Sequence, residues 1–507
     1  MVADHGSHAY PAQDFRVIAF PADLSELFPR PTGLVESGWP PDQVAYLAEY
    51  LRQLGCKTLV VENHYVDRDY IADVSLFYSR SLRAYPNYCQ RWHFFSETFD
   101  QQTWRRLVTG PSVKARTKAT EFLQRQYLGF SAVRPLPGSP IGRTVLPTLP
   151  RISPHGHVRD FSGTREYAVH IAGFELTVEG LAFQQQDQGV SACATAALWS
   201  CLHRIARTEG LAIPTPSEIT VSASRYLLVG GRSLPSDGLT IEQICEATRA
   251  VGLSPLFIRS VSPEHDRAQL LGYITSGFPP LLAIRSLATD EGHAVCAMGV
   301  KLGEIQPRTD PQLHFRDAAT AVQGVYIHDD RLGPYAAADL YGLTKNKVVT
   351  TAFRIRWPGK ADEFEHVELL GMLVPVPTKL RLTVARMRHP LGSEIADAVG
   401  QRFAEYDGLV TFNCRFDLGT RYQKVAHQFG LSKSGLYQLL CQTPLSRFIG
   451  LIEISIPDGP LFDVVLDATE TRANPAVLCW VRRCTLPPAS EAALAIMAKQ
   501  LGGAWIS

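Results

Sequence analysis

Residues 187–210, DQGVSACATAALWSCLHRIARTEG, decide how this chain is read. The stretch predicts a helix. Ser191 is a residue type that caps helix starts, and Arg204 and Arg207 fall in the last turn, where cations offset the negative end of the helix. Gly210 can adopt the left-handed backbone that ends a helix. Ala194, Ala197, Leu198, Cys201 and Ile205 form an apolar stripe suited to burial against a sheet, so Cys201 reads as core. Cys193 falls in the first turn. Unpaired N–H groups and the positive end of the macrodipole favour a thiolate there, the state a nucleophilic cysteine needs near neutral pH. Taken alone, Cys193 also fits a small buried residue at a helix start.

On either side, short β-type runs and helical spacings alternate. RVIAF (16–20) and TLVVE (58–62) read as strands, and QVAYLAEYLRQL (43–54) between them as a helix ending at Gly55. Six prolines between Arg134 and Pro154 forbid a regular helix and favour an extended path, either a boundary or a strap over the next domain. Strands are expected within 167–183, at LLAI (281–284), at HAVCAMGV (293–300) and at GVYIH (324–328), with the polar segment 301–322 as a loop. This order predicts an α+β fold in three domains. They are an N-terminal α/β domain (1–127), a central domain (128–345, with the strap at 134–154) and a C-terminal α+β domain (346–507).

A nucleophilic thiolate needs a partner to hold its proton and return it to the leaving group. EGHAVCAMGV offers His293 at the opening of an apolar strand, where its edge faces a cleft. The histidine in turn needs an orienting acid or amide. GVYIHDDRLGPY, at the end of the following strand, offers Asp329 and Asp330. If the strand continues through them, the two carboxylates point to opposite faces and only one reaches the imidazole.

Cys193 in its DQG-x-x-x-C context, followed by Gly292-His293-Ala294-Val295 and then Asp329, resembles the papain-like cysteine peptidase superfamily. The small residue Ala194 after the cysteine is closer to the bacteriocin-processing branch. The resemblance covers about 150 residues, from Gln186 to Tyr335. It implies a papain-like central domain with the nucleophile helix on an antiparallel sheet. It also implies Cys193 as nucleophile, His293 as base, Asp329 as orienting acid with Asp330 as the alternative, and Gln188 as oxyanion donor. The family's glutamine usually lies six residues before the cysteine. Here Gln188 lies five before, Asp187 six and Gln186 seven, which leaves Gln186 as the competing donor. The implied chemistry is cleavage of a peptide or isopeptide amide through a thioester, or transfer of the acyl group on a related fold. It needs no cofactor and no metal. A catalytically idle module of the same fold, acting as a binding or regulatory subunit, is the alternative.

Composition narrows the setting. The 507 residues are 45% apolar and 20% charged, the profile of a globular chain rather than a disordered or collagen-like one. Fifty Lys and Arg against 49 Asp and Glu leave a formal charge of +1, so no global field draws the chain to nucleic acid or to an anionic membrane. Ten scattered cysteines suit a reducing compartment. The polar start, MVADHGSHAYPAQDF, lacks the apolar core of a signal peptide, and no run reaches the length of a membrane span. A cytoplasmic protein acting on a protein or peptide substrate is expected. KVAHQFGLSKSGLYQLL (424–440) has helix-turn-helix-like spacing, with Arg421, Lys424 and Lys433 nearby. In a neutral chain, with apolar strands following at once, it reads as a packed helical hairpin and nucleic acid is not the expected partner. Cys479 and Cys484 lack a second pair at zinc spacing, and they read as structural together with His155 and His157. The aromatic run at 85–95 reads as core.

Overall fold

The computed structural model describes residues 14–507 except 22, 29–40, 83, 137, 188–191, 226–237, 309, 358–362, 404–405 and 472–475. Its strands pair almost entirely antiparallel, with helices packed on the sheets, an α+β architecture.

The first sheet is a meander of Phe15–Ala19, Thr58–Tyr65, Cys89–Phe95, Tyr127–Val133 and Ile141–Val145 in sequential order. Helix α1 (Asp42–Gln53) joins its first two strands and buries Val44, Leu47, Ala48 and Leu51, the spacing of one helix face. The aromatic run contributes Trp92, Phe94 and Phe95 to the core.

In the central sheet, Leu281–Ser286, Gly292–Leu302, Val322–Asp329, Gly333–Lys345, Val348–Arg356 and Phe364–Pro377 pair in that order. The last strand returns to pair with the first, closing a ring. Alternate residues such as Val295 and Ala297, Val325 and Ile327, and Phe353 and Ile355 share one core with Leu270, Leu271 and Ile274 of the helix Pro263–Thr275. This is the period of two that a strand with one buried face requires. Against the strand Gly292–Leu302 lies the helix Cys193–Glu209. Cys201, midway along it, is within hydrogen-bonding reach of Cys296 on that strand, and both are fully buried. Gly210, at φ 68°, ends the helix in the left-handed conformation.

The C-terminal sheet runs Phe315–Asp317, Val410–Leu418, Phe448–Ile456, Gly459–Asp467, Ala476–Arg482 and Ala504–Ile506. The segment 424–440 packs on it: Ala426, Phe429 and Leu439 share a core with Ile449, Leu451 and Val481. Its helices, Gly419–Val425 and Lys433–Tyr437, are short, and Arg421 is tied to Asp417. No helix among the described residues is long and apolar enough to cross a membrane.

The sheets divide the chain at other places than the sequence cuts. A boundary at 127/128 separates Tyr127 from a strand that pairs with Cys89–Phe95, so the first unit reaches Val145 and takes in part of the proline-rich strap. A boundary at 345/346 falls in a hairpin turn, because Val348–Arg356 and Phe364–Pro377 are needed to close the central ring. Asn346 and Lys347, at φ 51° and 66°, make that tight turn, and its polar sequence resembles a linker. The expected loop at 301–322 likewise contains Phe315–Asp317, which pairs in parallel with Val410–Phe412 of the C-terminal sheet.

Candidate active site

The helix Cys193–Glu209 starts with Ala192 at the cap; Ser191, expected there, lies outside the described residues. Alanine offers no side-chain acceptor, so the cap residue itself leaves the N–H groups of the first turn open. Cys193 is half-buried and unbridged.

His293 is the second residue of Gly292–Leu302, and Asp329 is the last of Val322–Asp329. These strands pair antiparallel, with Cys296 opposite His328, so the start of one meets the end of the other at the same rim of the ring. There His293 lies within hydrogen-bonding reach of the Cys193 thiol. Its Nε2 is 3.0 Å from Asp329 Oδ1, so the acid occupies one of the two ring nitrogens.

Asp330 departs from expectation. Its Oδ1 also lies near His293 Nε2, at 3.5 Å, so the two carboxylates converge instead of pointing to opposite faces. The strand ends at Asp329 and Asp330 already lies in the turn, so strand alternation does not extend across the pair. Asp330 is buried, and its Oδ2 has no partner among the described residues.

Arg331, which the sequence reading did not single out, separates the two acids electrically. Its backbone N–H and Nε donate to Asp329 Oδ1, and its Nη2 donates to Oδ2. The same guanidinium is paired with Glu365 at 3.0 Å. Burial works against charge on Asp329, but Arg331 and His293 outweigh it and hold the carboxyl far below its ordinary range. Asp330 lacks such a partner. Burial, with Asp329 beside it, pushes its pKa from 3.8 up to about 6 against the pull of His293. Burial also opposes charge on His293, yet Asp329 and Asp330 together raise its proton affinity well above the ordinary value, which favours the charged ring.

Among the described residues, His293, Asp329 and Asp330 are the group whose ligand-type atoms come together, within 4.8 Å of one another. A cation there would have to displace both the His293 N–H from Asp329 and the charge of Arg331, so the set reads as a hydrogen-bonded relay and not as a metal centre.

Gln188 lies outside the described residues. Gln186 is half-buried at the mouth of that segment. Asp187, six residues before Cys193, is buried 3.6 Å from Arg134, and Tyr78 donates a hydrogen bond to it. A carboxylate so engaged accepts hydrogen bonds and does not stabilise an oxyanion. Cys479 is core, and His157 is bonded to Ser153 and Tyr326.

Compared with known proteins, the sequence matches no family model and none of the curated proteins.

Proposed function

We propose that the chain is a cysteine peptidase, or an acyl-transfer enzyme of the same chemistry, working through Cys193, His293 and Asp329. The observation that carries this reading is the placement of a helix-start cysteine against a histidine whose far nitrogen is held by a buried, ionised aspartate. The Cys193 sulfur attacks the carbonyl carbon of an amide, and the tetrahedral oxyanion meets the open N–H groups at the helix start, with Gln188 or Gln186 as side-chain donor. The imidazolium of His293 gives its proton to the departing amine as the C–N bond breaks, leaving a thioester. Neutral His293 then takes a proton from water, or from an acceptor amine, as that nucleophile attacks the thioester and frees the thiolate. Asp329 keeps the ring oriented and supports its charge. A cytoplasmic setting, where ten unbridged thiols persist, suits this reading.

A catalytically idle binding module is the second reading. It is favoured by Asp187, which occupies the usual oxyanion-donor place and is tied to Arg134.

Alkylation by iodoacetamide at pH 6 to 7, followed by peptide mapping, tests the proposal. Cys193 is expected to label faster than the other nine cysteines, and Cys193→Ala to lose hydrolysis of a peptide library while keeping its thermal midpoint. Uniform labelling, or a large fall in that midpoint, would assign Cys193 to structure.

A further inference from the structure

The turn that carries both acids is held from outside the central ring. It runs from Asp329 at the end of one strand to Gly333 at the start of the next. Helix α1, nearly 290 residues earlier in sequence and joined to the first sheet, lies on it. Gln43 Nε2 donates to the Asp330 carbonyl at 3.0 Å, and Tyr46 Oη donates to the Pro334 carbonyl at 3.0 Å. One turn further along the same helix face, the Tyr50 ring stacks on Tyr335 with centroids 5.5 Å apart. Positions 43, 46 and 50 have the i, i+3, i+7 spacing of one face.

The turn is shaped to receive this face. A Cβ on Gly333 would come within 2.2 Å of the Tyr46 ring, so only glycine allows the approach. Tyr335 is buried with φ at 60°, a left-handed conformation that a bulky residue keeps only where its surroundings impose it. Its hydroxyl is fixed as well, donating to the Leu146 carbonyl and accepting from Leu181 N–H. Burial, with Glu49 and Asp329 nearby, keeps the Tyr46 hydroxyl protonated and therefore a donor.

From these contacts we infer that helix α1 belongs to the active site as a clamp, with Gln43 and Tyr46 as positioning residues that set where Asp329 and Asp330 stand relative to His293. The inference rests on the peptidase reading for its consequence: the first unit must be docked for the cysteine–histidine pair to work. A hydrogen bond at Asp330 O and another at Pro334 O fix the two sides of the turn. Loss of either lets the carboxylates rotate away from a ring that depends on both.

The test uses the full-length chain with Gln43→Ala, Gln43→Glu and Tyr46→Phe. Gln43→Glu keeps the length but sets an acceptor against a carbonyl, and Tyr46→Phe keeps the ring packed on Gly333 while deleting one hydrogen bond. The titration of His293, followed by NMR with labelled histidine, reads the placement of the carboxylates whatever Cys193 does. Its midpoint is expected to fall by about one pH unit in both Gln43 variants, equivalent to a tenfold loss of proton affinity. A smaller fall is expected in Tyr46→Phe, with thermal midpoints close to wild type in all three. Cys193 alkylation at pH 6, measured in parallel, is expected to slow about tenfold in the Gln43 variants. An unmoved His293 midpoint in all three folded variants would overturn the clamp. A wild-type Cys193 no faster than an ordinary thiol, with the His293 midpoint still moved by the variants, would sink the peptidase reading and leave the clamp standing.

Discussion

Arg331 engages both carboxylate oxygens of Asp329, through its backbone N–H and Nε on one and its Nη2 on the other. Among the described residues the neighbouring Asp330 receives no such contact, and its Oδ2 has no hydrogen-bond partner. Adjacent residues in one turn are thus driven apart, one firmly ionised and the other able to take up a proton near pH 6. In the proposed mechanism this asymmetry favours Asp329 as the orienting acid, and it can be tested from each side.

Asp329→Ala is expected to slow turnover by about 10² to 10⁴, the range for loss of an orienting acid, and Asp330→Ala by clearly less. The distances of 3.0 and 3.5 Å to His293 Nε2 set this order. Peptide hydrolysis, or Cys193 alkylation if no substrate is in hand, measures it. The reverse order would make Asp330 the orienting acid.

Arg331→Met removes the main compensation for a fully buried carboxylate. Breaking such a pair on one side costs about 3 kcal/mol or more at neutral pH. The loss should shrink toward pH 5, because Asp329 in the variant can take up a proton. Urea unfolding at pH 7 and pH 5 checks both the size and the trend. A change below 0.5 kcal/mol, on the order of a typical surface substitution, would mean that the pair does not hold Asp329.

Asp330 and His293 both bind a proton more tightly folded than unfolded, so both make stability fall as pH rises. The contribution of Asp330 is complete below pH 3.8 and lost as pH climbs through about 6. That of His293 is complete below pH 6.5 and lost as pH rises through its elevated folded value. Asp330→Asn should therefore flatten the decline between about pH 4 and 6 and match or exceed wild type at pH 7, by up to about 3 kcal/mol. Thermal or urea unfolding across this range is the measurement, and a slope unchanged in the variant would place Asp330 outside the titrating set.

Gly333→Ala should cost about 1 to 3 kcal/mol through the clash with Tyr46. Combined with Tyr46→Ala, it should cost less than the two single changes added, because the smaller side chain vacates the contested space. Strict additivity in a double-mutant cycle would show that the ring does not press on the turn.

Gln188→Ala is expected to lower the acylation rate by about 10² to 10³, the usual effect of deleting one oxyanion donor, with little change in substrate binding. Gln186→Ala run in parallel decides between them. Activity kept in both variants would leave the oxyanion to the backbone N–H groups at the helix start.

Much of the site is local and therefore legible in the chain itself. The helix Cys193–Glu209, with its apolar stripe and its glycine stop, follows from side-chain periodicity and backbone freedom, both properties of neighbouring residues. Cys193 at its start and His293 at a strand opening follow for the same reason. Tertiary structure alone decided which strands share a sheet, because a strand pairs through backbone groups that look alike in every sequence. Ile141–Val145 therefore joined the first sheet, and Val348–Arg356 the central ring, across the boundaries expected at 127/128 and 345/346. It also decided the relation of Asp329 to Asp330, since the strand ends at Asp329 and the turn that follows brings the two carboxylates together. The contact of Gln43 and Tyr46 with the acid turn was equally beyond sequence reading. Nearly 290 residues separate the partners, and each bond ends on a backbone carbonyl, which carries no residue type to recognise.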